Sequence, residues 1–164
     1  MIEALKKLIA ALRDELQNYG EMLARLDDQQ ELVMRRAAEA VMQTVPLIQH
    51  QSAILIQARE VRFGAMKLLC STIGLGENAS FKELMPHLPP DYCPLIEALV
   101  DENNELLQRI HQRARQNHVL LTRTVESMQR VINSLGIHQT TPVYNECGTM
   151  FNTPATSALY EAVG

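Results

Sequence analysis

The sequence has no tryptophan, and Phe and Tyr together make up only 4% of its 164 residues. Strands lean on aromatic and β-branched side chains, so this scarcity argues against a sheet. It also argues against a general nucleic-acid binder, which needs clustered Lys/Arg and stacking rings, whereas this chain carries a formal charge of −4. Cysteine is scarce as well. Cys70, Cys93 and Cys147 are isolated, odd in number and without a C-x-x-C spacing. A disulfide framework is therefore not expected, and a reducing cytoplasm is the natural compartment. No run of about 18 apolar residues occurs, so no membrane insertion is expected. The opening MIEALKKLIAALRDEL is broken by Glu3, Lys6, Lys7, Arg13, Asp14 and Glu15, which leaves no apolar signal stretch.

Apolar residues nevertheless reach 46%, supplied mainly by Leu, Ala and Met, which are strong helix formers. Gly and Pro are distributed unevenly. Residues 1–45 contain only Gly20, residues 47–73 only Gly64, and residues 95–135 neither. Gly74, Gly76, Pro86, Pro89, Pro90 and Pro94 crowd together, and more breakers follow Leu135. Long helical rods, a mid-chain connector over 74–94 and a C-terminal tail follow from this spacing.

The first rod, over about 2–45, has a clean heptad period. Steps of three and four connect Ile2, Leu5, Ile9, Leu12, Leu16, Tyr19, Leu23, Leu26, Gln30, Val33, Ala37 and Ala40, and only Gln30 is polar. Forty helical residues make a rod of about 60 Å, which cannot bury its stripe without partner helices of similar length. The second rod, 47–73, is marked by Leu47, Ile48, Ile54, Leu55, Ala58, Val61, Ala65, Leu68, Leu69 and Ile73. A turn somewhere in 32–46 makes a hairpin of the two; a single helix kinked at Pro46 is the alternative. In the connector, Ser80 with Glu83 three residues on is a capping box for a short helix ending near Pro86. Asp91 is a candidate cap for the last rod.

That rod, 94–135, carries Leu99, Asn103, Leu106, Ile110, Ala114, Asn117, Leu121, Thr124, Met128, Val131 and Leu135 on its stripe, with Gly136 placed to close it. Asn103 and Asn117 either fix the register of a buried seam or sit at a wet edge. The expected fold is all-α: an elongated antiparallel three-helix coiled-coil bundle over 1–136 with a short connector helix, and a tail over 137–164.

Catalytic and metal chemistry find no footing. None of the five histidines has Glu three residues before it, and there is no His-x-x-x-His or Cys/His zinc spacing. His111 and His118 share a helix face, but among Arg109, Arg113 and Arg115, which disfavour another cation. No nucleophile elbow or phosphate-cradling Gly-rich loop occurs. The chain reads as a non-enzyme without metal or cofactor. Over residues 106–135, Arg109, Arg113, Arg115, Arg123 and Arg130 against Glu126 alone give this part of the last rod a basic bias, read as a solvated face or as a guide for an acidic partner helix.

The tail keeps Val143, Tyr144, Met150, Phe151, Leu159, Tyr160 and Val163, more apolar surface than a polar disordered tail needs. It either folds back on the bundle or forms a recognition segment, with two turns of helix available near 155–163.

Four segments in order carry a family resemblance. Leu5 to Leu26 leads into Asp28-Gln29-Gln30. Arg59 and Arg62 precede Met66, Leu68-Leu69 and Ile73-Gly74. Asn117 is followed by Leu120-Leu121, Met128 and Val131 to Leu135. Val143-Tyr144-Asn145-Glu146-Cys147-Gly148 places a Tyr shortly before a Gly. Over nearly its whole length the chain resembles the FlgN family of flagellar type III export chaperones. It departs in having Asn145 directly after the tyrosine, where the family often has Gly, and in its apolar residues beyond Gly148.

The resemblance implies a cytoplasmic chaperone that binds hook–filament junction proteins of the FlgK and FlgL type and delivers them to the cytoplasmic domain of the export gate. It implies that the third rod and tail serve the client, with Leu120, Leu121, Met128, Val131, Ile132 and Leu135 as candidate client contacts. It makes Tyr144 the candidate for docking at the gate. A client's terminal amphipathic helix can complete a bundle with an exposed helix face. A structural coiled coil that only self-associates is the alternative, and a homodimer stays open.

Overall fold

The computed structural model describes residues 1–76, 79–135, 143–144 and 150–151. Four α-helices occupy most of them: α1 (Ile2–Met34), α2 (Ala38–Ile73), the single turn α3 (Phe81–Leu84) and α4 (Cys93–Ser134). A 3₁₀ turn, Met85–His87, extends α3. A two-residue antiparallel ladder joins β1 (Val143–Tyr144) to β2 (Met150–Phe151), with Val143 opposite Phe151 and Tyr144 opposite Met150. The chain divides into two compact units, Met1–His118 and Val119–Gly164. The fold is an all-α helical bundle in which α1 packs against both α2 and α4.

The first rod is shorter than its heptad pattern suggests. It stops at Met34, and the turn falls at Arg35–Ala37, inside the 32–46 window. Arg36 takes the left-handed conformation at φ 56°. Its N–H donates to the Val33 carbonyl and that of Ala37 to the Leu32 carbonyl. This is a Schellman closure with arginine where glycine is usual. Pro46 does not break the chain; it lies within α2. It forfeits its own N–H bond to Met42, but both residues are exposed, so the unpaired carbonyl lies on the solvent side. Gly74, left-handed at φ 77°, closes α2. Gly136 lies outside the described residues.

α1 buries a stripe two residues wide because it has two neighbours. The heptad positions Leu5, Ile9, Leu12, Tyr19, Leu23, Leu26 and Val33 are buried, and so are the adjoining Ala4, Leu8, Ala11, Glu15, Met22 and Gln29. Two apolar clusters result. One gathers Leu5, Leu8 and Leu12 with Met66, Leu69, Ile96 and Leu99, and the connector plugs its end with Leu84 and Leu88. The other gathers Tyr19, Met22, Leu23 and Leu26 with Leu55 and Ile110. The capping box is formed: the Ser80 N–H donates to Glu83 Oε2 at 2.6 Å, and Ser80 Oγ accepts from the Glu83 N–H at 3.4 Å.

Asn103 and Asn117 are buried and set the register. Asn103 Nδ2 donates to the Leu12 carbonyl at 3.1 Å, and Asn117 Nδ2 to the Leu26 carbonyl at 2.7 Å. Both donors and both acceptors are two heptads apart, so α4 runs parallel to α1 without drift. Gln51 does the same across the hairpin, donating to the Asn18 carbonyl at 3.2 Å. The oxygens of these three amides lack a protein partner among the described residues. An unpartnered buried acceptor costs about as much as a hydrogen bond gives. The amides thus specify alignment more than they add stability.

Candidate partner-binding surface

Between the two apolar clusters lies a polar layer whose origin is Glu15. Its side chain is 3% exposed and meets Arg62 Nε at 2.5 Å and Arg59 Nε at 3.7 Å. Tyr19 Oη donates to Glu15 Oε1 at 2.9 Å and accepts from Arg59 Nε at 2.8 Å. The Arg59 guanidinium also stacks over the Tyr19 ring, 5.5 Å from its centroid. Burial, reinforced by the Glu15 charge, pushes the Tyr19 phenol above its usual range even though Arg59 pulls it down. A crevice of about 320 Å³ opens here, lined by these groups with Phe81, Asn103 and Asn104. Each charge faces its counterpart, so Arg59 and Arg62 fasten the hairpin. Cys70 is likewise structural: burial raises its thiol pKa, which leaves little thiolate for chemistry.

α4 changes character beyond His118. Up to there it buries Ile96, Leu99, Asn103, Ile110 and Asn117; no residue from Val119 to Leu135 is buried. Yet this stretch is rich in large apolar side chains. Leu121, Val125, Met128, Ile132 and Leu135 follow each other at alternating steps of four and three, the spacing of one helix face. Val125 is 64% exposed, Met128 48%, Ile132 40% and Leu135 63%. Val131, 56% exposed, flanks the same face. The stripe is about 21 Å long at 1.5 Å per residue. Contiguous exposed apolar surface of this kind marks an interaction site, whereas scattered exposed leucines do not.

Of the six candidate contact residues, Met128, Val131, Ile132 and Leu135 are exposed on this face, while Leu120 and Leu121 are half-buried. Val125 is the residue that the sequence reading passed over, although its place between Leu121 and Met128 in the three–four rhythm was visible. The arginines separate into two groups. Arg113 pairs with Asp27 at 2.9 Å and donates to Gln30, so it belongs to the bundle. Arg123 and Arg130 sit two residues from Leu121 and Met128 or Ile132, which on a helix is the opposite side from the stripe. The backbone of Tyr144 belongs to β1. Its side chain and the short helix expected near 155–163 lie outside the described residues.

No helix among the described residues is long and apolar enough to cross a membrane. No curated protein and no solved structure gives a match to the chain. The family described as FlgN protein matches residues 1–151, which takes in all four helices and the Tyr144 segment. The chain therefore belongs to the FlgN family and is a flagellar export chaperone.

Proposed function

We propose that this chaperone binds hook–filament junction proteins of the FlgK and FlgL type in the cytoplasm. Their terminal amphipathic helices lie along Leu121, Val125, Met128, Val131, Ile132 and Leu135 of α4. The exposed apolar face after His118 is the observation that carries this reading. A client helix that must later pack against its neighbours in the flagellum has an apolar stripe of its own. Covering that stripe prevents premature assembly and also covers the chaperone's exposed face. Burying one large aliphatic side chain contributes roughly 1.5–3 kcal/mol, so a handful of such contacts suffices for a micromolar complex after the cost of association. Met128 adds an adaptable, polarisable contact that suits more than one client sequence.

Delivery to the cytoplasmic domain of the export gate is assigned to Tyr144, on the strength of its place in the family's tail pattern. The role requires masking and release only, with no catalysis and no cofactor. Calorimetric titration of the purified chain with a junction protein tests the binding half. One-to-one binding that vanishes when the client's terminal helices are deleted supports it. Undiminished binding to the truncated client refutes it. Tyr144→Ala tests the delivery half, since it should keep client affinity while weakening capture by the gate domain.

A further inference from the structure

The crevice beside Glu15 has charge left over. Among the described residues that line it, Arg59 and Arg62 bring two positive charges and Glu15 a single negative one. Tyr19 adds none, because its raised pKa keeps the phenol neutral. The crevice therefore holds an excess of one positive charge, in a chain whose formal charge is −4.

Fastening the hairpin uses one edge of each guanidinium. Arg59 Nε is engaged with Tyr19 Oη at 2.8 Å and Arg62 Nε with Glu15 Oε2 at 2.5 Å. None of their four Nη atoms makes a hydrogen bond to a described residue, and the side chains are 44% and 26% exposed. A guanidinium offers five donors in a planar fork, so each has an outer edge free for a second oxyanion. Asn104, exposed on α4, adds an amide to the same lining.

The rest of the lining is apolar: Leu12, Phe81, Val100 and Leu107. At about 320 Å³ the crevice lies at the small end of ligand pockets, which run from about 300 to 1,000 Å³. It has room for one or two side chains, not for a whole helix. Apolar walls around a cationic patch suit a carboxylate attached to an aliphatic body. The size of the excess also selects the anion. A carboxylate carries one negative charge and balances it, whereas a doubly charged phosphate would overshoot beside Glu15. Asn103, 7% exposed, lines the crevice too, and its Oδ1 is an acceptor without a protein partner among the described residues. A carboxylate alone brings no donor, but a peptide brings backbone N–H groups with it.

We infer that this crevice is a docking site for an acidic peptide segment of a partner protein, with a Glu or Asp carboxylate on the outer edges of Arg59 and Arg62 and a neighbouring aliphatic side chain against Phe81, Val100 and Leu107. The site lies within Met1–His118, and it does not depend on the client reading of the apolar face of α4.

Titration of the ¹⁵N-labelled full chain with the acetylated, amidated dipeptide Leu-Glu tests this, read at the arginine Nε–H signals and the Asn104 side-chain amide. The hydrogen bond to Tyr19 shields Arg59 Nε–H from exchange and keeps it observable. Saturable shifts with a Kd on the order of 1 mM are expected. The dipeptide Leu-Gln, which lacks the charge, should bind at least about tenfold more weakly. Arg59→Gln should weaken Leu-Glu roughly tenfold, and Arg123→Gln, which lies outside the crevice, should leave it unchanged. Asn104→Asp keeps the Glu15 pairs intact and sets a negative charge at the rim, so it should weaken binding by about threefold or more. Circular dichroism verifies the fold of each variant. Absence of saturable shifts at about 20 mM overturns the proposal. So does binding of Leu-Gln within about twofold of Leu-Glu, or a Leu-Glu affinity indifferent to both Arg59→Gln and Asn104→Asp. Inorganic phosphate that shifts the same signals more tightly than Leu-Glu, at equal ionic strength, would give the crevice to a free oxyanion and overturn it equally.

Discussion

Replacing Glu15 by Gln isolates the polar layer that separates the two apolar clusters. The substitution keeps the volume and an oxygen to accept from Tyr19 Oη, and removes only the charge. Breaking a buried ion pair by neutralising one partner typically costs about 3–5 kcal/mol, because the other charge stays buried. Here the partners are less enclosed. Arg62 is 26% exposed and Arg59 44%, so each regains part of its hydration. The expected loss is about 2–3 kcal/mol, with most of it carried by Arg62, the closer and less exposed partner. In urea, where small proteins lose about 1–3 kcal/mol per molar denaturant, the midpoint should fall by about 1 M or more at unchanged slope. Arg59→Ala provides the comparison. It loses a long contact to Glu15, a hydrogen bond to Tyr19 and the stacking on its ring, and should cost about 1 kcal/mol. A Glu15→Gln loss under about 1 kcal/mol, or one smaller than that of Arg59→Ala, would refute the reasoning. It would mean that the carboxylate behaves as a surface group despite its 3% exposure.

Two further predictions concern the local closures. Arg36→Gly should raise unfolding stability by about 1 kcal/mol, since a non-glycine residue at positive φ is strained there; no gain in the urea midpoint would show that the left-handed turn costs nothing. Hydrogen bonds from the Ser80 backbone and hydroxyl hold the Glu83 carboxyl below its usual range. A carboxylate with a lowered folded-state pKa stabilises the protein above its unfolded pKa, and that contribution disappears as pH falls through the folded value. Glu83→Gln should therefore lower stability at neutral pH, change it little once pH has fallen below the folded value, and so flatten the acid limb of the stability curve between, which denaturant titrations across pH will reveal.

Much of the bundle was legible because a heptad rhythm reports a buried face directly. Leu5, Ile9, Leu12, Tyr19, Leu23 and Leu26 were identifiable by spacing, and Ser80 with Glu83 by the capping-box pattern. The turn was harder to place. Its left-handed residue is Arg36, which carries no turn signal, and the nearby Pro46 is absorbed into α2 at a solvent-facing position. The second buried row of α1, including Ala4, Leu8 and Met22, needs two neighbouring helices, a tertiary fact that one periodic stripe does not encode. Glu15 is the extreme case. In sequence it is one more charge interrupting an apolar segment, and only Arg59 and Arg62 arriving from α2 make its burial tolerable. For the surface on α4 the residues were legible and their exposure was not: Ile110 and Ile132 occupy the same helix, and packing alone makes one core and the other accessible.

The central claim is that the apolar face of α4 beyond His118 is where the client helix lies. The most direct test is the affinity of the double variant V125D/I132D for a labelled terminal helix of a junction protein, measured by fluorescence anisotropy. Both side chains are exposed, so the fold should persist. Losing two apolar contacts and setting two charges against an apolar stripe should weaken binding at least about 100-fold, equivalent to about 2.7 kcal/mol. Affinity within about threefold of wild type, in a variant with unchanged unfolding, would contradict the account.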